Sequence, residues 1–172
     1  MRRPSKRGER RACSGPFVGS FRVGADWEER SAHSSFQTDS VVSMHVESFT
    51  FSSFMTNSYI CHDDGEAVIV DASCETASER EEMLNVIETH GLEVRHLLLT
   101  HAHVDHIFGC HSLEDHFDAR FAAHEAAVPF IERAEEQAEA FGVTVDPPSV
   151  PTTLLEEGDT ISFGNVTLDV LH

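Results

Sequence analysis

Lysine is almost missing from this sequence, and basic residues are scarce over most of its length. Residues 44–172 contain no lysine and only four arginines, which are Arg80, Arg95, Arg120 and Arg133. The same stretch holds 25 of the 30 acidic residues, so its net charge is −21. A surface this negative repels phosphate backbones and anionic lipid head groups, which argues against nucleic-acid and membrane partners. It also favours an origin in a high-salt cytoplasm, where salt screens the self-repulsion.

Cysteine pairs and long apolar runs are lacking as well. The four cysteines, Cys13, Cys61, Cys74 and Cys110, form no C-x-x-C pair and show no disulfide-framework spacing. No apolar run approaches the length of a membrane-spanning helix. The basic N-terminus is not followed by the apolar segment that a signal peptide requires. We therefore predict reduced cysteines in a cytoplasmic protein.

The first 43 residues differ in charge from the rest of the chain. They hold eight of the 12 basic residues and five acidic ones, and they show no sustained apolar periodicity. We predict that residues 1–43 are a disordered tail, or an upstream extension of a protein whose natural start is Met44. In either case the folded domain covers residues 44–172.

The apolar pattern from Met44 onward predicts strands and helices in alternation. Strands are expected at 46–51, 57–61, 67–70, 94–100, 120–123, 159–163 and 166–171, and helices at 76–90, 112–117 and 125–141. Asp63-Asp64-Gly65 predicts a hairpin turn, and Thr76-x-x-Glu79 predicts a capping box. This order indicates the α/β class, with a mixed sheet covered by helices. The last strand is expected to keep an unpaired edge or an uncovered apolar face.

One dense cluster of candidate ligands follows the strand at 94–100. It reads His101-Ala102-His103-Val104-Asp105-His106. Side chains two residues apart in extended backbone point to the same side, so His101 and His103 can reach one ion. Asp105 and His106 lie in the continuing turn and can serve a neighbouring position. Imidazole nitrogens with a carboxylate oxygen suit zinc, and also iron or manganese.

The other histidines show no comparable spacing. We interpret them as surface or structural residues; they are His33, His45, His62, His90, His96, His111, His116 and His124.

The motif H-x-H-x-D-H after an apolar strand resembles the signature of the metallo-β-lactamase superfamily. The resemblance covers about residues 44–172 and leans towards glyoxalase II-like thioesterases. The features that lean this way are Asn57-Ser58-Tyr59, the strand ending at Asp71, the helix Thr76–His90, Thr100 and Gly109. The resemblance implies that the chain forms the first half of a four-layer αββα sandwich.

The resemblance also implies a site and a mechanism. His101 and His103 would bind one zinc ion, and Asp105 and His106 a second. A metal-bound hydroxide would hydrolyse a small-molecule thioester or ester, with Asp105 as the catalytic residue that positions the water. Two alternatives stay open: a mononuclear iron oxygenase similar to persulfide dioxygenases, and a non-catalytic remnant that needs a partner half.

The family pattern requires further ligands downstream. It places a histidine in a Thr-Pro-Gly-His loop, a bridging aspartate and a final histidine after the equivalent of Leu171-His172. We therefore expect that the chain is a fragment or a truncated form, with weak metal binding and little thioesterase activity by itself. His172 is not assigned as a ligand.

Overall fold

The computed structural model describes residues 20–23 and 44–172. Most of these residues build a five-stranded mixed sheet. Its strands are β2 (His45–Phe51), β3 (Thr56–Asp63), β4 (Glu66–Val70), β5 (Glu93–Leu98) and β6 (Phe121–Ala122), side by side in that order. Strands β2, β3 and β4 are antiparallel, whereas β5 and β6 run parallel to β4.

The turn between β3 and β4 confirms the predicted hairpin. Asp64 and Gly65 have φ values of 48° and 80°. Two-residue hairpin loops of this kind require positive φ at both central positions, which Asp and Gly tolerate.

Helix α1 (Ala77–His90) carries the chain from β4 across to the parallel strand β5. Thr76 accepts a hydrogen bond from the Glu79 backbone N–H, while the Glu79 carboxylate accepts one from the Thr76 N–H, which confirms the capping box. Gly91 ends the helix in the left-handed conformation with φ of 61°. The helix buries Met83 and Ile87 against the sheet.

The helix predicted at 125–141 is wrong as one continuous element. The structure has a 3-10 turn at Glu125–Ala127, helix α4 at Val128–Ile131 and helix α5 at Ala134–Phe141. Pro129 lies in the first turn of α4, because proline has no N–H and its ring cannot follow an intact helical turn. Helices α2 (Val104–Ile107) and α3 (Cys110–Phe117) precede this region.

A second, three-stranded sheet contains β1 (Ser20–Val23), β7 (Thr160–Phe163) and β8 (Val166–Leu171). Its strand order is β1-β8-β7, and it is antiparallel throughout. Strand β8 is therefore central, and the predicted unpaired edge is wrong. Of the predicted tail or upstream extension, the structure describes only Ser20–Val23, which pairs with β8. The remaining residues of 1–43 lie outside the described part, and the predicted domain boundary stays a prediction.

The two faces of the five-stranded sheet bury different cores. One face packs against the helices, with Ile60, Ile69 and Leu97 in that core. The other packs against the three-stranded sheet, where Val68 and Leu98 lie among side chains that include Phe163. Helices, sheet and second sheet thus form successive layers, which confirms the predicted α/β class with a mixed sheet. Within the described ranges, no helix is long and apolar enough to cross a membrane.

Candidate metal centre

The histidine motif lies where β5 leaves the five-stranded sheet. Strand β5 ends at Leu98, and the backbone continues through His101 to the start of α2 at Val104. Two backbone hydrogen bonds tie the motif to the segment after β4: Ala72 N–H donates to His106 O at 3.2 Å, and Gly109 N–H donates to Ala72 O at 2.8 Å. The carboxyl ends of β4 and β5 thereby present the candidate ligands together.

The structure brings all four predicted ligands into one cluster. The ring centres of His101 and His103 are 4.7 Å apart, and those of His101 and His106 are 3.9 Å apart. Asp105 Oδ2 lies 3.5 Å from His106 Nε2. Their proximity agrees with the sequence-based expectation, and their role as metal ligands stays a prediction.

The buried Asp71 carboxylate holds the cluster in place through hydrogen bonds. It is 3% exposed, and its carboxylate accepts hydrogen bonds from Thr100 N–H at 2.8 Å and Thr100 Oγ1–H at 2.7 Å. Asp71 Oδ2 also lies 2.9 Å from His106 Nδ1. A carboxylate that binds the far nitrogen of a histidine fixes the ring orientation, as it does behind many metal ligands.

This network fixes which histidine nitrogens are free. The single hydroxyl proton of Thr100 is donated to Asp71, so Thr100 Oγ1 accepts from His101 Nδ1 at 3.0 Å. His106 Nδ1 donates to Asp71 in the same way. In their neutral forms both rings therefore carry their proton on Nδ1 and leave the Nε2 lone pair for a ligand.

Burial and charge act differently on the two rings. Burial, followed by the neighbouring His106 ring, lowers the pKa of His101 to about 4. Burial also lowers the pKa of His106, but the hydrogen bond and charge of Asp71 and the charge of Asp105 outweigh it, so the net shift is upward. The His101 imidazole is therefore neutral at neutral pH and can offer its Nε2 lone pair to a metal ion.

Thr56 is a site residue that the sequence reasoning missed. It is buried at the start of β3, and its Oγ1–H donates to Asp105 Oδ2 at 2.6 Å. Thr56 stands next to Asn57-Ser58-Tyr59, which the sequence did single out, but the partner lies 49 positions away. Thr56 holds one oxygen of the Asp105 carboxylate and leaves Oδ1 for other partners.

Helices α4 and α5 support the other side of the motif. Gln137 Nε2 donates to Ala102 O at 3.2 Å and to Phe130 O at 2.9 Å. The Phe130 ring meets the exposed ring of His103 edge-on, with centres 5.6 Å apart. These contacts restrict the backbone between the two histidines.

The chemistry of the donor atoms fits divalent metal ions, although the candidate side chains do not converge on one point. Among the described residues, no three His, Cys, Asp or Glu side chains have the geometry of a metal site. The free Nε2 atoms of His101 and His106 and the Asp105 carboxylate nevertheless supply the nitrogen and oxygen donors that zinc, iron and manganese accept.

Layered sheets with a nitrogen–oxygen donor set at a strand end are the arrangement expected of a metal-binding α/β protein. A family model described as the metallo-β-lactamase superfamily matches residues 53–172. Because this match covers most of the chain, the protein belongs to the metallo-β-lactamase superfamily, which confirms the resemblance drawn from the motif.

Individual relatives agree with this assignment. The chain is 29% identical over 132 residues to hydroxyacylglutathione hydrolase GloC of Haemophilus influenzae, with 75% of this chain and 60% of that protein covered. The crystal structure of TTHA1623 in a di-iron-bound form is 30% identical, with a TM-score of 0.59, over 67% of this chain and 56% of that chain. The chain therefore spans little more than half the length of these relatives.

The fold is shared more widely. The B3 metallo-β-lactamase BLEG-1 is 24% identical, with a TM-score of 0.63, over 74% of this chain and 61% of that chain. At this identity the likeness concerns the fold alone.

Proposed function

We propose that the protein hydrolyses the thioester or ester bond of a small molecule, in the manner of glyoxalase II-like hydrolases. The observation that carries the proposal is the Asp71–Thr100–His101 and Asp71–His106 hydrogen-bond network, which leaves the Nε2 atoms of both rings for ligands and places that of His106 3.5 Å from Asp105 Oδ2. The 29% identity to a hydroxyacylglutathione hydrolase supports thioesters as the substrate class.

The four candidate ligands would hold two divalent ions. His101 and His103 would hold one ion, and Asp105 with His106 the second. When bound, such ions lower the pKa of water and polarise a carbonyl group. Zinc is the ion that we favour, and the di-iron-bound TTHA1623 keeps iron as a candidate.

Side chains behind the candidate ligands fix how those ligands are oriented. Asp71 fixes the His106 ring directly and the His101 ring through Thr100. Thr56 holds one oxygen of Asp105. The other oxygen can accept a hydrogen bond from an attacking water and orient it towards a carbonyl carbon. Asp105 is therefore the catalytic residue of the proposal.

The negative charge of the domain limits the substrates that can approach the site. Residues 44–172 carry a net charge of −21, which disfavours polyanionic substrates such as phosphodiesters. A neutral thioester carbonyl meets no such barrier. Polyanions are therefore disfavoured as substrates, whereas a thioester of small net charge, such as S-lactoylglutathione, is compatible with this surface.

The test is hydrolysis of S-lactoylglutathione by protein reconstituted separately with zinc, iron or manganese. We expect slow turnover with at least one metal, in keeping with the expected weak metal binding, and Asp105→Asn should lower kcat/KM by about a hundredfold or more, because a ligand and the water-orienting group are both lost. His111→Ala is the matched control, since His111 is exposed on α3 and should leave activity unchanged.

Two results would contradict the proposal. One is the absence of thioester and ester hydrolysis with all three metals. The other is an Asp105→Asn variant that is as active as the control. Oxygen uptake with glutathione persulfide and iron would instead favour the mononuclear oxygenase, and inactivity in both assays would favour the non-catalytic remnant.

A further inference from the structure

Three histidines outside the motif lie together on the helix-covered face of the five-stranded sheet. His45 on β2 is directly opposite His62 on β3, and His90 ends α1 above them. The His62 ring centre is 5.2 Å from that of His45 and 5.3 Å from that of His90. His62 is six residues along β3 from Thr56, so the cluster is about 20 Å from the Asp105 end of the strand.

His62 is buried without a full set of partners. It is 8% exposed, and its Nε2 atom has no hydrogen-bond partner among the described residues. Glu47 Oε1 is 4.0 Å from this nitrogen, which is too long for a hydrogen bond. A buried polar atom in this position normally binds a protein group, a water or an ion.

The distances between the ring centres of the cluster are compatible with ligands of one ion once the exposed side chains turn. Metal–nitrogen and metal–oxygen bonds to zinc are about 2.0–2.2 Å, so two of them span the gap between His62 Nε2 and Glu47 Oε1 after a small turn of Glu47. Two imidazoles bound to one tetrahedral ion have ring centres about 5 Å apart. Both measured ring distances in the cluster are close to that value.

We propose that His62 and Glu47, with His45 and His90, form a second site for a divalent transition-metal ion such as zinc or nickel. The ion would link β2, β3 and the end of α1, far from the catalytic cluster. In the described residues the donors do not yet converge, because the His45 ring is stacked on that of His62 with an interplanar angle of 16°. His45 and His90 are exposed and can turn, whereas burial fixes His62.

The protonation state of His62 agrees with a ligand role. Burial lowers the pKa of His62, and the imidazoles of His45 and His90 lower it further, against the opposing charges of Glu47 and Asp63. His62 is therefore neutral at neutral pH, which is the form that binds metal ions.

The test counts zinc and nickel ions bound by the full chain after equilibrium dialysis. The double variant His45→Ala/His90→Ala should bind one ion fewer than the wild type, and Glu47→Gln should weaken the binding of that ion by at least about tenfold. The control His111→Ala/His116→Ala removes two exposed histidines of α3 and should lose none. Circular dichroism checks that each variant is folded.

A thermal melt gives a second readout that does not depend on activity. An ion that binds only the folded state raises Tm, so zinc should stabilise the wild type and the α3 control more than the double variant. The proposal is overturned if the double variant and Glu47→Gln both bind as many ions as the wild type. It is overturned equally if the α3 control loses as much metal as the double variant.

Discussion

Asp71 combines an unusual backbone conformation with a buried charge. Its φ of 54° lies in the left-handed region, which Asp tolerates better than most residues with a Cβ atom. The conformation is held because Asp71 N–H donates to Leu98 O at 2.9 Å while the carboxylate binds Thr100 and His106. Local strain of this kind occurs at functional sites, where the surrounding structure stabilises it.

We predict that the Thr56 hydroxyl group positions the Asp105 carboxylate. Thr56→Val keeps the shape of the side chain but removes the O–H donor to Asp105 Oδ2. We expect a loss of about 10- to 100-fold in metal affinity or kcat/KM, since partners behind metal ligands have effects of this size. Thr56→Ser should retain most of the wild-type value.

The measurement is zinc affinity by competition with a chelator, followed by the thioester assay. Thr50→Val on the adjacent strand β2 is the control, because its hydroxyl binds Asn57 on the exposed side. Equal zinc affinity and activity in Thr56→Val and wild type would show that the hydroxyl does not position Asp105.

Sequence reasoning singled out the residues of the motif, together with Asp71 and Thr100, but it did not connect Thr56 with Asp105. His101, His103, Asp105 and His106 are recognisable because their spacing is local and follows an apolar strand. Thr56 and the histidines around His62 are brought to their partners by strand pairing and by α1, over long separations in the chain. Single residues of common types carry no local pattern that would reveal such contacts.

At the scale of elements, the short connection between α2 and α3 depends on close packing of Gly109 against Cys74. A Cβ atom on Gly109 would lie 2.1 Å from Cys74 Sγ and 3.0 Å from Cys74 O. Its φ of −97° is open to any residue, so packing rather than backbone conformation requires glycine here. The fully buried Cys74 side chain has little room to move away.

We therefore predict that Gly109→Ala lowers the free energy of unfolding by about 1–3 kcal/mol through overpacking. In the Cys74→Ala background the same substitution should cost less than about 1 kcal/mol, because the sulfur is gone. Urea unfolding of the four proteins in this double-mutant cycle measures the coupling. An equal cost in both backgrounds would show that the Sγ contact is not the cause.

Element boundaries followed from the sequence where local signals are strong. The capping box at Thr76, the stop at Gly91 and the turn at Asp64-Gly65 all act within a few residues. The region 125–141 carries continuous helical periodicity, and its division into shorter helices is set by Pro129 and by packing against the motif. Strand β1 exists through its pairing with β8, which no local pattern shows.

At the scale of the whole molecule, acidic charge is distributed over a domain with very few cations. Residues 44–172 carry a net charge of −21, and of their four arginines only Arg95 forms an ion pair with a carboxylate within 4 Å among the described contacts. Like charges on such a surface repel one another and destabilise the compact state. Salt reduces this repulsion, since the screening length falls from about 30 Å at 0.01 M to about 3 Å at 1 M.

We accordingly predict that Tm rises between low and molar KCl, by about 2–4 °C for each kcal/mol of repulsion that is screened. The triple variant Glu81→Lys/Glu82→Lys/Glu88→Lys is the matched comparison, because it reverses three exposed charges on α1 beyond its first turn, where the helix dipole does not favour acidic residues. Its Tm should be higher than that of the wild type at low salt, and the difference should shrink in molar KCl. A general effect of KCl on hydration would raise both melting temperatures equally and leave the difference unchanged. Melting temperatures of the wild type that are equal at low and molar KCl would contradict the high-salt interpretation of the composition, because self-repulsion would then contribute nothing measurable to stability.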